Sequence, residues 1–154
     1  MLKNLRKDTR GAVLAEFVIA IVPILTAFFS FVQLSHLATA RLALKHGTIM
    51  AARGAAVITN AHDNTPGQQK GENNGDVVQG VQAAMYPWMA NGNVSDVSVK
   101  ITDESSKDDP YGWVTVEVST TYHCTVPMGW IACGGTTRTL TETKRMPHQG
   151  ANYK

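Results

Sequence analysis

The chain has 154 residues, enough for one modest globular domain at most. Its formal net charge of +2, with no long basic run and no basic patch interleaved with aromatics, excludes nucleic acid as a partner. It carries no phosphate loop, nucleophile elbow or HExxH motif, and its 5 histidines (His36, His46, His62, His123, His148) form no i, i+4 pair, so the residues of an enzyme are missing and no cofactor is implied.

The first ten residues are a short basic leader, with Lys3, Arg6, Lys7 and Arg10 against Asp8 alone, closed by Gly11. Residues 12–34 follow as an apolar run in which Glu16 is the only ionisable side chain. The run exceeds the roughly 20 residues that cross a bilayer. It is also longer than the roughly 7–15 apolar residues of a cleaved secretory signal. The Ala38-Thr39-Ala40 triplet mimics a signal-peptidase site but follows a span already long enough to stay in the membrane. Positive flanks remain in the cytoplasm, so the expected orientation is N-in, C-out.

Residues 35–58 contain no proline and are rich in alanine and leucine, so 12–58 is expected to form one helix roughly 70 Å long at 1.5 Å per residue. Pro23 leaves the carbonyl of Ile19 without its donor, which predicts a kink or local melting rather than an end. Ala43, Gly47, Ala51 and Ala55 recur every fourth residue and make one ridge almost without side chains. Such a ridge admits another helix or a sheet at close range; the plainer reading is that alanine favours helix and Gly47 is a tolerated flaw.

Residues 59–75 are polar and rich in Gly, Asn and Gln, which reads as a flexible loop ending the long helix. The head then occupies residues 76–154. Asp76 is placed to cap a helix running to Tyr86-Pro87 through Val77, Val78, Val81, Ala84 and Met85. Val97, Val99 and Ile101 alternate with polar residues, as do Val114, Val116 and Val118, and the turn-rich DESSKDDPYG between them predicts an antiparallel hairpin. Residues 136–145 read as a third, weaker strand. The fold class expected is α+β: a long N-terminal helix carrying a small head with an antiparallel sheet, supported by packing on the helix's outer half.

Cys124 and Cys133 bracket TVPMGWIA. Two cysteines in an exported domain read first as a disulfide, which on the chain-entropy estimate stabilises by roughly 2–3 kcal/mol. A metal pair helped by His123 is the rival reading, but it lacks the paired spacing of a zinc site. Asp103, Glu104, Asp108 and Asp109 lack the alternating ligands and central glycine of an EF-hand and read as a solvated hairpin tip. Trp88, Trp113 and Trp130 read as core or membrane-edge residues.

The basic leader, Gly11 and Ala12-Val13-Leu14-Ala15-Glu16-Phe17 resemble the processing site of type IV pilin-like proteins. Pro23 and Ala51-Ala52-Arg53-Gly54-Ala55 extend the resemblance to the TadE-like pseudopilins, minor pilins of the Tad pilus. The likeness covers roughly the first third of the chain. It implies cleavage by a prepilin peptidase between Gly11 and Ala12, so that Glu16 becomes the fifth mature residue and Phe17 the aromatic that follows it. The precursor would sit in the bacterial inner membrane, in contact with lipid. It would then join other pilin subunits through an inner-membrane assembly platform and end in an extracellular pilus or a periplasmic pilus base, serving adhesion. The chain is longer than a major Flp-type pilin and shorter than TadG-like relatives. A major pilin of an unusual pilus remains an alternative.

The chemistry of Glu16 agrees with that resemblance. A carboxylate at the centre of a bilayer costs roughly 2.5–3.5 kcal/mol on insertion scales. Cleavage would create an ammonium at Ala12, about 6 Å along the helix from Glu16, and Glu16 of one subunit can then pair with that ammonium in a neighbour. The competing reading is an uncut, single-pass signal anchor with an exported binding domain.

Overall fold

The computed structural model describes residues 10–58, 75–104 and 111–149, without the side chains of Arg10 and Asp76. The leader before Arg10, most of the polar loop with His62, and the hairpin tip with Asp108 and Asp109 lie outside the described residues. Helix α1 spans Arg10–Ile58, α2 Gly75–Ala90, strand β1 Val94–Asp103, β2 Trp113–His123, a short helix α3 Gly129–Cys133, and β3 Thr137–Pro147. The strands form one antiparallel sheet in the order β1-β2-β3. A long apolar N-terminal helix bearing a small α+β head is thus the architecture.

α1 is continuous for 49 residues, which is about 73 Å of helix at 1.5 Å per residue. It runs through Pro23 without ending or unwinding, so the local melting expected there is absent. Hydroxyls inside the helix are satisfied by the helix itself: Thr26 Oγ1 donates to Val22 O, Thr39 Oγ1 to Ser35 O and Thr48 Oγ1 to Leu44 O, each at 2.8 Å. Such back-bonding to the i−4 carbonyl satisfies each hydroxyl inside the helix, at a small cost to helix stability.

The head departs from expectation at both ends of α2. The helix starts at Gly75, so Asp76 lies within its first turn rather than before it. It also continues past Tyr86 and through Pro87 to Ala90. Trp88 and Met89 in that last turn pack against the core, which holds the extra turn in place. The end is a Schellman motif: Gly92 is left-handed at φ 69°, its N–H donates to Met89 O and that of Asn93 to Trp88 O, both at 3.0 Å.

β2 is the central strand. Val114, Val116, Val118 and Tyr122 point inward and are fully buried. β1 holds a bulge: it advances three residues from Ser95 to Ser98 while β2 moves two, from Thr121 to Ser119. Asp96 takes up the extra residue at φ 54°, with Ser95 Oγ donating to its carboxylate at 2.8 Å, and Thr120 Oγ1 donates to Ser95 O at 2.8 Å. A one-residue slip exchanges the faces of a strand, so the bulge lets Val94 share the buried face with Val99 and Ile101. β3 pairs with β2 along its whole length, from Thr137 opposite His123 to Pro147 opposite Trp113, and is a full strand rather than a weak one.

The core lies between this sheet, α2 and the outer half of α1, where Leu37, Ala40, Leu44, Ala51, Ala52 and Ala55 are buried against Val81, Met85 and the β2 valines. The chain's later part returns to the far end of α1. His148 N donates to Gly112 O at 2.7 Å and Gln149 N to Ala56 O at 3.1 Å, the latter satisfying a carbonyl in the last turn of the helix.

Candidate functional site: a bare helix and its junction with the head

The inner half of α1 touches almost nothing. Val13, Leu14, Phe17, Val18, Ile19, Ile24, Phe28 and Phe31 all face outward, and Ile19 is 74% exposed. Among the described residues α1 is the one helix long and apolar enough to cross a membrane. A bare apolar stripe of this length needs lipid or other helices to cover it. The head covers the outer half of the helix and leaves most of the inner half exposed.

The sequence-identified residues fall on both sides of that division. The Gly11–Ala12 bond lies within the described part of α1, and Gly11 is exposed with open space around it. Glu16 is one turn beyond Ala12, exposed, and makes no ion pair or hydrogen bond among the described residues. Phe17 is 61% exposed beside it. Pro23 is exposed on the same bare segment. The small-residue ridge, by contrast, faces the chain's own α2. A side chain at Gly47 would start 3.3 Å from Ala84 Cβ and 3.9 Å from Val81 Cα, while Ala51 and Ala55 are buried and Ala43 half-buried. Cys124 and Cys133 are bonded to each other with Cα atoms 6.6 Å apart, and the loop they close contains α3, which had no periodicity to announce it.

The junction between the halves centres on Gln33, which the sequence reading did not single out. Its side chain is fully buried; Nε2 donates to the Tyr122 hydroxyl at 3.0 Å, and Oε1 accepts from Val126 N at 3.1 Å. Gly129 lies so close that an added Cβ would be 2.7 Å from Gln33 Oε1. Further down the helix Thr26 Oγ1 reaches Met128 Sδ at 3.3 Å. One amide thus ties α1, β2 and the disulfide loop together. The available signal was an isolated amide in an apolar run, since a buried amide must find partners. Burial raises the Tyr122 pKa above its ordinary 10.0, and the hydrogen bond from Gln33 opposes part of that rise.

The tryptophans separate into three settings. Trp88 packs on the core with its ring 6.4 Å from that of His36. Trp113 lies beneath the Arg145 guanidinium at 4.8 Å, and Arg145 also pairs with Glu104 at 2.6 Å on the surface. Trp130 is 61% exposed on α3. Among the described residues no group of His, Cys, Asp and Glu is arranged to hold a metal ion.

The class defined by this geometry is a helix-anchored α+β protein with a covered outer half and an uncovered apolar inner half. No protein-family model matches the chain, and no curated protein and no solved structure is similar to it.

Proposed function

We propose that the chain is a TadE-like pseudopilin, a structural subunit that enters a Tad or type IV-like pilus, or its initiation complex, through the bare half of α1. The observation that carries this reading is the uncovered apolar helix with a single carboxylate, Glu16, one turn after Ala12. In the membrane lipid covers the stripe, and in the assembly the helices of other pilins replace it. Prepilin peptidase removes the leader after Gly11. The new ammonium at Ala12 then gives Glu16 of a neighbouring subunit its partner, and mismatched registers are penalised because they leave a charge unpaired in apolar surroundings. The small-residue ridge faces the chain's own α2, and the assembly surface in this reading is the exposed face of residues 12–31.

The test is Glu16→Ala in the native host. Processing should continue, since the peptide bond between Gly11 and Ala12 is untouched, while the variant should be lost from sheared filaments and from pilin co-purification. Normal incorporation of the variant would remove the role given to the carboxylate.

A further inference from the structure

The disulfide loop is a second apolar surface, and it lies alongside the span rather than beyond it. Residues 124–137 contain no charged side chain. Within them Met128, Trp130 and Ile131 are exposed, Trp130 by 61%. The loop meets α1 at Thr26 and Gln33, both inside the apolar run. Val126 and Gly129 lie at the level of Gln33, next to the end of the apolar run at Leu34. The Met128 side chain reaches down to Thr26, eight residues or about 12 Å of helix before Leu34, within one leaflet's roughly 15 Å of hydrocarbon.

Part of its backbone is answered within the protein. Gly129 N donates to Val126 O at 2.8 Å, Ile131 N to Met128 O and Gly135 N to Trp130 O at 3.1 Å, and Val126 N to the Gln33 side chain at 3.1 Å. Pro127 has no N–H to satisfy, and the cysteines are bonded. Irregular backbone enters hydrocarbon only when its polar groups are answered within the protein.

Helix and head also change character at the same level. The first cation after the apolar run of α1 is Arg41, and the first charge after the uncharged loop is Arg138. These two, with Lys45, line one groove of about 470 Å³ whose apolar wall includes Leu34, Leu37 and Leu42. Two segments distant in sequence thus share one boundary between apolar and cationic surface, where long cationic side chains can reach phosphate headgroups while their stems stay on apolar surface.

We propose that the disulfide loop is a lipid-contact element, dipping beside the span into the leaflet on the head's side with Trp130 in the interface. This rests on the membrane-anchored reading of α1. The occupant before assembly is lipid rather than a partner protein, because the surface continues the apolar face of the span that lipid covers in the unassembled chain. Its effect is to fix the tilt and rotation of the head before assembly.

The experiment uses the full chain in vesicles of phosphatidylcholine and phosphatidylglycerol, with lipids spin-labelled near the top of the acyl chain as quenchers. Wild type is compared with Trp130→Phe, a substitution at an exposed position, so that the difference reports Trp130. The expected result is loss of Trp130 emission to the labelled lipid, with protection from acrylamide in water. Phe28→Trp in the Trp130→Phe chain reports the span. A quenched Phe28→Trp with no Trp130-dependent quenching overturns the loop's role and leaves the anchor standing. Quenching of neither overturns both. A Trp130 that becomes protected only when a second pilin is added assigns the loop to protein contact and overturns the proposal.

Discussion

Replacing Gly129 by alanine tests the junction in a way no single deletion can. The new methyl would lie 2.7 Å from Gln33 Oε1 and 3.1 Å from Cδ and Cγ. Gln33 cannot step aside without cost, because it is fully buried and committed to Tyr122 and Val126. Gly129 has no left-handed φ, so the substitution adds no backbone strain, and overpacking alone should cost about 1–3 kcal/mol. Gln33→Ala removes both hydrogen bonds and leaves the buried Tyr122 hydroxyl and the half-buried Val126 N–H unanswered, for about 2–6 kcal/mol at 1–3 each. In the Gln33→Ala background, however, the Gly129 methyl enters vacated space and its penalty should nearly vanish. The coupling between the two is therefore about 1–3 kcal/mol, and the double variant should be no less stable than Gln33→Ala. The assay is denaturant unfolding of the full chain in mild detergent, followed by near-UV circular dichroism. Equal cost of Gly129→Ala in both backgrounds would refute the close contact.

Other expectations concern separate parts of the head. Gly47→Leu should force α1 and α2 apart, because even a Cβ there starts 3.3 Å from Ala84, and should destabilise by about 1–3 kcal/mol in the same unfolding assay. Tyr122 has a folded pKa raised above 10.0 by burial, so its contribution is fully present below pH 10.0 and is lost as pH rises through the folded value. Tyr122→Phe should remove that alkaline loss while lowering neutral-pH stability by about 1–3 kcal/mol through the orphaned Gln33 amide; an unchanged alkaline profile would contradict it. Removing the disulfide with Cys124→Ala and Cys133→Ala should cost about 2–3 kcal/mol and reduce the lipid quenching of Trp130, read by the vesicle measurement above.

Much of the architecture is written in local periodicity. The apolar run of 12–34, the alanine-rich continuation to Ile58 and the alternation of Val114, Val116 and Val118 each report the surface their own residues must bury. Features that depend on distant residues are not written there. The bulge at Asp96 exists to bring Val94 onto the face of Val99 and Ile101, a demand set by the register with β2. Pro87 stays helical because Trp88 and Met89 find the core. β3 looked weak because Thr, Glu, Lys and Arg dominate it, yet it is anchored through buried Leu140 and pairing to an apolar central strand. The ridge of Ala43, Gly47, Ala51 and Ala55 was visible as a close-approach surface, whereas its occupant, α2, was not. Gln33 was hidden for the same reason: its partners lie 89 and 93 residues away.

The proposed pilin reading rests on Gly11, Ala12 and Glu16 acting together, which requires a cut between Gly11 and Ala12. Intact mass and N-terminal sequencing of the protein from its native host measure it directly. A mature chain beginning at Ala12, with Gly11→Leu retaining the leader, is the predicted result; a membrane-embedded chain still beginning at Met1 would contradict it.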